Sequence, residues 1–140
     1  MGGKRDIRAV LDTSVLLSAE RRPLLYLATK GLYRIVWSNY VAAELQRKML
    51  EMRWGQRPVG AMLSVLEAIA ETVDHEPILG GNYDVWLKDL DDHPVMATAI
   101  AGRVDYLVTW NTKDFPPEKR FAGVTIITPD AFLRLFDLLQ

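Results

Sequence analysis

Four short β-prone runs, each followed by helix-like sequence, constrain this chain more than any other feature. They are Ile7-Arg8-Ala9-Val10-Leu11, Arg34-Ile35-Val36-Trp37, Asp105-Tyr106-Leu107-Val108-Thr109 and Val124-Thr125-Ile126-Ile127. Strands that alternate with helices call for parallel βαβ units, with a central sheet covered on both faces. The expected fold is α/β: a central parallel sheet between two helical layers. At 140 residues, with no internal repeat and no linker-like stretch, residues 1–140 read as one domain.

Helix boundaries follow from caps and breakers. Asp12-Thr13-Ser14 are all good N-caps and stand ahead of Val15-Leu16-Leu17. Pro23 suits the first turn of a helix over Leu24–Lys30, which Gly31 closes. After Ser38-Asn39, the spacing of Val41, Leu45, Met49 and Met52 predicts an amphipathic helix over Tyr40–Met52. Pro58 to about Val73 reads as another, with Met62, Leu63, Leu66, Ile69 and Ala70 inward. Residues 74–82 read as a loop with a short strand at Ile78-Leu79. A segment around Tyr83–Leu87 leads to Asp92, expected to cap a helix that Pro94 opens and Gly102 ends. Thr128-Pro129 starts a closing helix to Leu138.

Composition removes several chemistries. Cysteine is absent, so there is no disulfide framework, no thiolate nucleophile and no zinc finger. Any metal must be held by oxygen or imidazole. A net charge of −1 argues against coating nucleic acid by charge alone, while leaving room for a local basic rim. No window approaches the ~18 apolar residues of a membrane span. Lys4–Arg8 is too polar, and Ala9–Leu11 too short, for a signal peptide. A cytoplasmic protein, not bound to membrane, is the expectation.

Open parallel sheets build sites at the carboxyl ends of their strands. Those ends carry Asp12 after the first strand, and Asn111 and Asp114 after Asp105–Thr109. Asp92 caps the helix feeding that strand, and Glu44 lies one turn into the helix after the second. Each has an ordinary reading on its own: Asp12 and Asp92 as caps, Glu44 as a partner of Lys48 at i+4, Asn111 and Asp114 as turn formers. Together they bring acids to one edge from separate parts of the chain. Carboxylates so gathered raise one another's pKa unless a hard divalent cation joins them, and oxygen donors point to Mg²⁺ or Mn²⁺. His75 and His93 are read as surface or turn residues, outside any metal site.

These residues resemble a known family. Val10-Leu11-Asp12-Thr13-Ser14-Val15-Leu16, Ala43-Glu44-Leu45, Asp89-Leu90-Asp91-Asp92-His93 with Ala97-Thr98-Ala99-Ile100-Ala101, and Val108-Thr109-Trp110-Asn111-Thr112-Lys113-Asp114-Phe115-Pro116 look like the PIN domain. They look most like its branch of toxin components of toxin–antitoxin pairs, the VapC-like ribonucleases. The resemblance runs from about Ile7 to the C-terminus, and four motifs in the right order are specific where any one is weak. It implies a three-layer α/β/α PIN-like fold with a central parallel sheet, and a Mg²⁺- or Mn²⁺-dependent endoribonuclease, plausible as a toxin with a cognate antitoxin, that forms a homodimer. Asp12, Glu44 and Asp92 would be the metal-binding acids, with Thr13 or Ser14 and Thr109 in support. Asp92 is preferred to Asp89 and Asp91 because it stands seven residues before Ala99, the family spacing.

One departure matters. Many PIN domains carry an Asp where this chain has Asn111, which puts a second metal in doubt and raises an alternative: a PIN-fold module that binds RNA or a partner and cleaves poorly. Arg47, Lys48 and Lys113, with Arg21-Arg22, are candidates to hold RNA phosphates, and ordinary surface charge explains each equally well.

Overall fold

The computed structural model describes residues 6–79, 92–116 and 122–137. The elements run β1 (Arg8–Leu11), α1 (Thr13–Leu16), α2 (Arg21–Thr29), β2 (Arg34–Trp37), α3 (Asn39–Glu51), α4 (Gln56–Ile69), β3 (Ala70–Thr72), α5 (Glu76–Leu79), α6 (His93–Ala101), β4 (Tyr106–Val108), β5 (Thr125–Ile127) and α7 (Pro129–Asp137). The five strands form one sheet in the order β3-β2-β1-β4-β5, parallel at every pairing. Register places Ala9 beside both Ile35 and Tyr106, and Leu11 beside Val108.

Because strand side chains alternate, the near-continuous apolar runs serve two cores. Ala9, Leu11, Ile35, Trp37 and Val108 point to one face and pack with Leu24, Leu45, Met49, Leu66, Phe132 and Phe136 from the helices. Val10, Val36, Leu107 and Ile126 point to the other, against Val95, Met96, Ala99 and Ile100 of α6 and against Phe115. The α/β/α layering expected from the sequence is the observed architecture.

Three expectations are corrected. The helix read as Pro58–Val73 ends at Ile69, and Ala70 turns extended (φ −95°, ψ 147°) into an unforeseen edge strand. Neither Gly nor Pro marks that turn, and Ala70-Glu71 has poor β propensity. Pairing with β2 makes the strand, helped by Trp37 Nε1 donating to Thr72 Oγ1 at 3.1 Å. Ile78-Leu79 lies in the short helix α5 rather than in a strand. Met52 follows α3 and is 54% exposed, so the apolar stripe of that helix stops at Met49. The segment around Tyr83–Leu87 lies outside the described residues.

Two glycines act differently from one another. Gly31 takes φ +78° and ends α2 in the left-handed conformation expected of a C-terminal glycine, with Leu32 N–H bonded back to Leu27 O at 3.1 Å. Gly102 has φ −79° and is needed for space instead, since a Cβ there would lie 2.6 Å from Val36 Cγ1.

Candidate active site

Asp12 is the first residue after the central strand, so its position is set by the most enclosed element of the sheet. It is only 7% exposed, and its own N–H donates to Val108 O at 2.9 Å. Both carboxylate oxygens are engaged. Oδ1 accepts from Thr13 N at 2.9 Å. Oδ2 accepts from Ser14 Oγ and from Thr109 Oγ1, each at 2.8 Å. Those two hydroxyls are themselves oriented from behind, Ser14 Oγ by Trp110 N at 3.2 Å and Thr109 Oγ1 by Asn111 N at 2.9 Å. The strand ends of β1 and β4 are thus laced together by a ladder of amide-to-hydroxyl-to-carboxylate bonds.

Glu44 joins from α3. Its Oε1 accepts from Thr13 Oγ1 at 3.2 Å, and the same hydroxyl accepts from Lys48 Nζ at 3.1 Å. The i, i+4 pair foreseen on α3 therefore meets on Thr13, one residue from Asp12, instead of being spent on the solvent side. Ser38 starts α3 as expected, its Oγ accepting from Val41 N at 3.4 Å and lying 2.7 Å from Thr98 Oγ1 in a buried hydroxyl pair.

Asp92 reaches the same edge by the direction of α6. The last turn of that helix sits at the start of β1, where Gly102 O accepts from Arg8 Nε at 2.9 Å. The helix therefore runs opposite to the strands and presents its first residues at their carboxyl ends. The Asp92 Oδ2 atom is closed off from solvent. Asp92 does stand at the N-cap position with Pro94 in the first turn, but its backbone is helical and its side chain makes no capping bond. The capping role expected of its carboxylate is corrected accordingly.

Asn111 and Asp114 bond mainly to each other. Asn111 Nδ2 donates to Asp114 Oδ2 at 2.8 Å, and Phe115 N closes the turn on Asn111 O at 3.0 Å. Phe115, 1% exposed, anchors the loop in the core behind it. Of the basic candidates among the described residues, Lys48 is the one that bonds to the site, through Thr13 Oγ1. Arg47 is paired with Glu51 at 2.9 Å on the outer face of α3, Arg21 lies 5.0 Å over the Trp54 ring, and Arg22 and Lys113 are exposed.

The donor chemistry suits a hard divalent cation, being carboxylate, hydroxyl and amide oxygen throughout. A carboxylate offers about four acceptor positions, and the three bonds to Asp12 leave one at Oδ1 for a cation. Among the described residues no three acidic or imidazole side chains already stand together as a ready-made group. Sequence reasoning named Thr13, Ser14 and Thr109 but passed over Trp110, an aromatic at an exposed strand end and the residue whose N–H orients Ser14.

A three-layer parallel α/β domain with an oriented, buried aspartate at the carboxyl end of its central strand is the class of protein these features define. The chain belongs to the PIN domain family, whose family model matches residues 8–113. Nine solved chains are similar to it in structure. One is the Mycobacterium tuberculosis VapC20, described as a Sarcin-Ricin loop cleaving toxin. It shares 16% identity and a TM-score of 0.51, over 84% of this chain and 98% of that one. No curated protein matches the chain in sequence.

Proposed function

We propose that the chain is a Mg²⁺- or Mn²⁺-dependent endoribonuclease that hydrolyses RNA phosphodiester bonds, and that it is the toxin of a toxin–antitoxin pair. The observation that carries this reading is Asp12, buried and held by donors from α1 and from the end of β4, with Glu44 one hydroxyl away. Membership of the PIN family and the likeness to a protein described as a Sarcin-Ricin loop cleaving toxin support it. A cytoplasmic homodimer with a cognate antitoxin protein belongs to the same reading. No helix among the described residues is long and apolar enough to cross a membrane.

Asp12, Glu44 and Asp92 would hold the cation. When bound, such an ion supplies charge stabilisation at the phosphate and a more acidic water. The protein's own residues do the rest. Ser14 and Thr109 fix the Asp12 carboxylate in one orientation, so that no reorganisation is needed when substrate arrives. Thr13 ties Glu44 to the same corner, and Lys48 supplies a positive charge beside it where an RNA phosphate can be bound.

A second reading, a PIN-fold module that binds RNA or a partner and cleaves weakly, is favoured by one observation. Asn111 is a neutral side chain whose amide is committed to Asp114. The test treats single-stranded and structured RNA with purified protein in Mn²⁺ or EDTA. Asp12→Asn and Asp92→Asn are expected to lose cleavage by two orders of magnitude or more, on the order of the loss of one essential group. Equal cleavage by the wild type and both variants would sink the nuclease reading. Absence of Mn²⁺ binding by calorimetry would favour the second.

A further inference from the structure

The geometry points to Trp110 as a platform that stacks an unpaired RNA base beside the acid site. The inference rests on the nuclease reading above and deepens it, since it makes the substrate a strand with an unstacked base next to the scissile phosphate rather than a continuous duplex.

Three observations carry it. Trp110 is 41% exposed although Val108 and Thr109, the two residues before it, are fully buried. The other tryptophans among the described residues have partners: Trp37 donates its indole N–H to Thr72, and Trp54 lies beneath Arg21. The position is also fixed with respect to the chemistry. Trp110 N donates to Ser14 Oγ at 3.2 Å, and Ser14 Oγ donates to Asp12 Oδ2 at 2.8 Å. One hydroxyl therefore separates the backbone of the tryptophan from the carboxylate.

The loop bearing the ring is braced from the far side. Thr112 N bonds to Trp110 O at 3.0 Å, Asn111 and Asp114 close on each other, and Phe115 plugs the core. A rigid aromatic costs little entropy to present, and the exposed Lys113 adds a cation on the same turn. Aromatic rings interleaved with positive charge are how proteins take up single strands, the ring receiving the base and the cation the backbone. A duplex keeps its bases stacked and offers such a ring nothing.

Binding of a short fluorescein-labelled single-stranded RNA, followed by anisotropy in EDTA so that no cleavage intervenes, tests this. Trp110→Ala is expected to weaken binding roughly five- to hundredfold, the range for loss of one stacked base. Trp110→Phe should retain most of the affinity and Trp110→Leu should not, which separates a π-face from apolar bulk. A single abasic position in the RNA should reproduce the loss and show no further loss with Trp110→Ala. Affinity for a blunt duplex of the same sequence should be unchanged.

If Trp110→Ala and Trp110→Leu both bind the single strand as the wild type does, while the wild type cleaves RNA in an Asp12-dependent way, this inference falls and the nuclease reading stands. The exposed ring would then belong to a protein partner's surface. If the wild type neither binds nor cleaves RNA, both fall.

Discussion

Arg8 and Glu71 meet across the whole width of β2, Nη1 on Oε1 and Nη2 on Oε2, both at 2.9 Å. One lies in the central strand and the other in the edge strand, so the pair clamps β3 to the sheet at a point where backbone bonding to β1 is impossible. The hydrogen bond from the guanidinium, followed by its charge, holds the Glu71 carboxyl below the usual carboxylate range, and burial offsets part of this.

A carboxylate whose folded pKa is lowered stabilises the fold above its unfolded value, near ~4.3, and loses that contribution as pH falls through the folded one. The side chains are 26% and 40% exposed, so solvent screening limits the effect. Glu71→Gln is expected to cost about 0.5–1 kcal/mol at neutral pH, with the gap to wild type shrinking in acid as the folded carboxyl takes up its proton. Urea titrations at neutral and acid pH check this, and a gap that persists in acid would show that the ion pair is not its source.

Thr109→Val removes one donor to Asp12 Oδ2 and the acceptor for Asn111 N while keeping the shape of the side chain. Because the site is buried, the loss should be about 1–3 kcal/mol, the cost of leaving such groups unsatisfied. Thermal unfolding reports that cost, and Mn²⁺ titration should show weaker binding because the carboxylate is no longer held in place. A variant as stable as wild type, with unchanged Mn²⁺ affinity, would remove Thr109 from the site.

Asn111→Asp exchanges the amide that donates to Asp114 for a second carboxylate at hydrogen-bond distance from it. Like charges so close disfavour the metal-free fold and favour a cation. The expected outcome is a lower melting temperature in EDTA, by roughly 1 kcal/mol of stability or more, that Mn²⁺ restores. If Mn²⁺ stabilises the variant no more than it does the wild type, this corner of the loop does not face the metal.

Gly102→Ala tests the packing of α6 on the sheet. The new Cβ would meet Val36 Cγ1 at 2.6 Å and Thr98 O and Val104 Cγ1 at 3.3 Å. Overpacking of this kind costs about 1–3 kcal/mol, and a denaturant midpoint equal to wild type would mean that the helix shifts freely. Had Gly102 served as a helix stop through a left-handed backbone, the penalty would come from strain instead of contact.

The parts of this molecule that declare themselves in sequence are those with a local cause. The apolar runs of β1, β2, β4 and β5 and the caps Asp12 and Ser38 are of that kind, as are the breaker Gly31 and the turn around Asn111. β3 was not legible because Ala70-Glu71-Thr72 becomes a strand only by lying against β2 and under the reach of Arg8, a partner 63 residues away. Within the site, the residue types at Asp12, Glu44 and Thr109 could be picked out from motifs. The hydroxyl of Thr13 as the meeting point of Glu44 and Lys48 could not, since that depends on how α3 is set against α1. Gly102 ends α6 where the sequence places the stop, but its need for space could not be read there, because the atom that excludes a side chain belongs to Val36.

The ladder around Asp12 has a consequence for how the protein comes into being. Thr109 Oγ1 meets Asp12 Oδ2 across 97 residues of sequence. Contacts so remote are slow to form because a long loop must close first. During synthesis Asp12 is made well before Thr109, so the hydroxyl and the flanking amides that orient it come only once β4 has been made and paired beside β1. The aspartate is therefore held in its final orientation only after the two central strands have paired, so this corner of the molecule is among the parts that wait on the closing of the sheet.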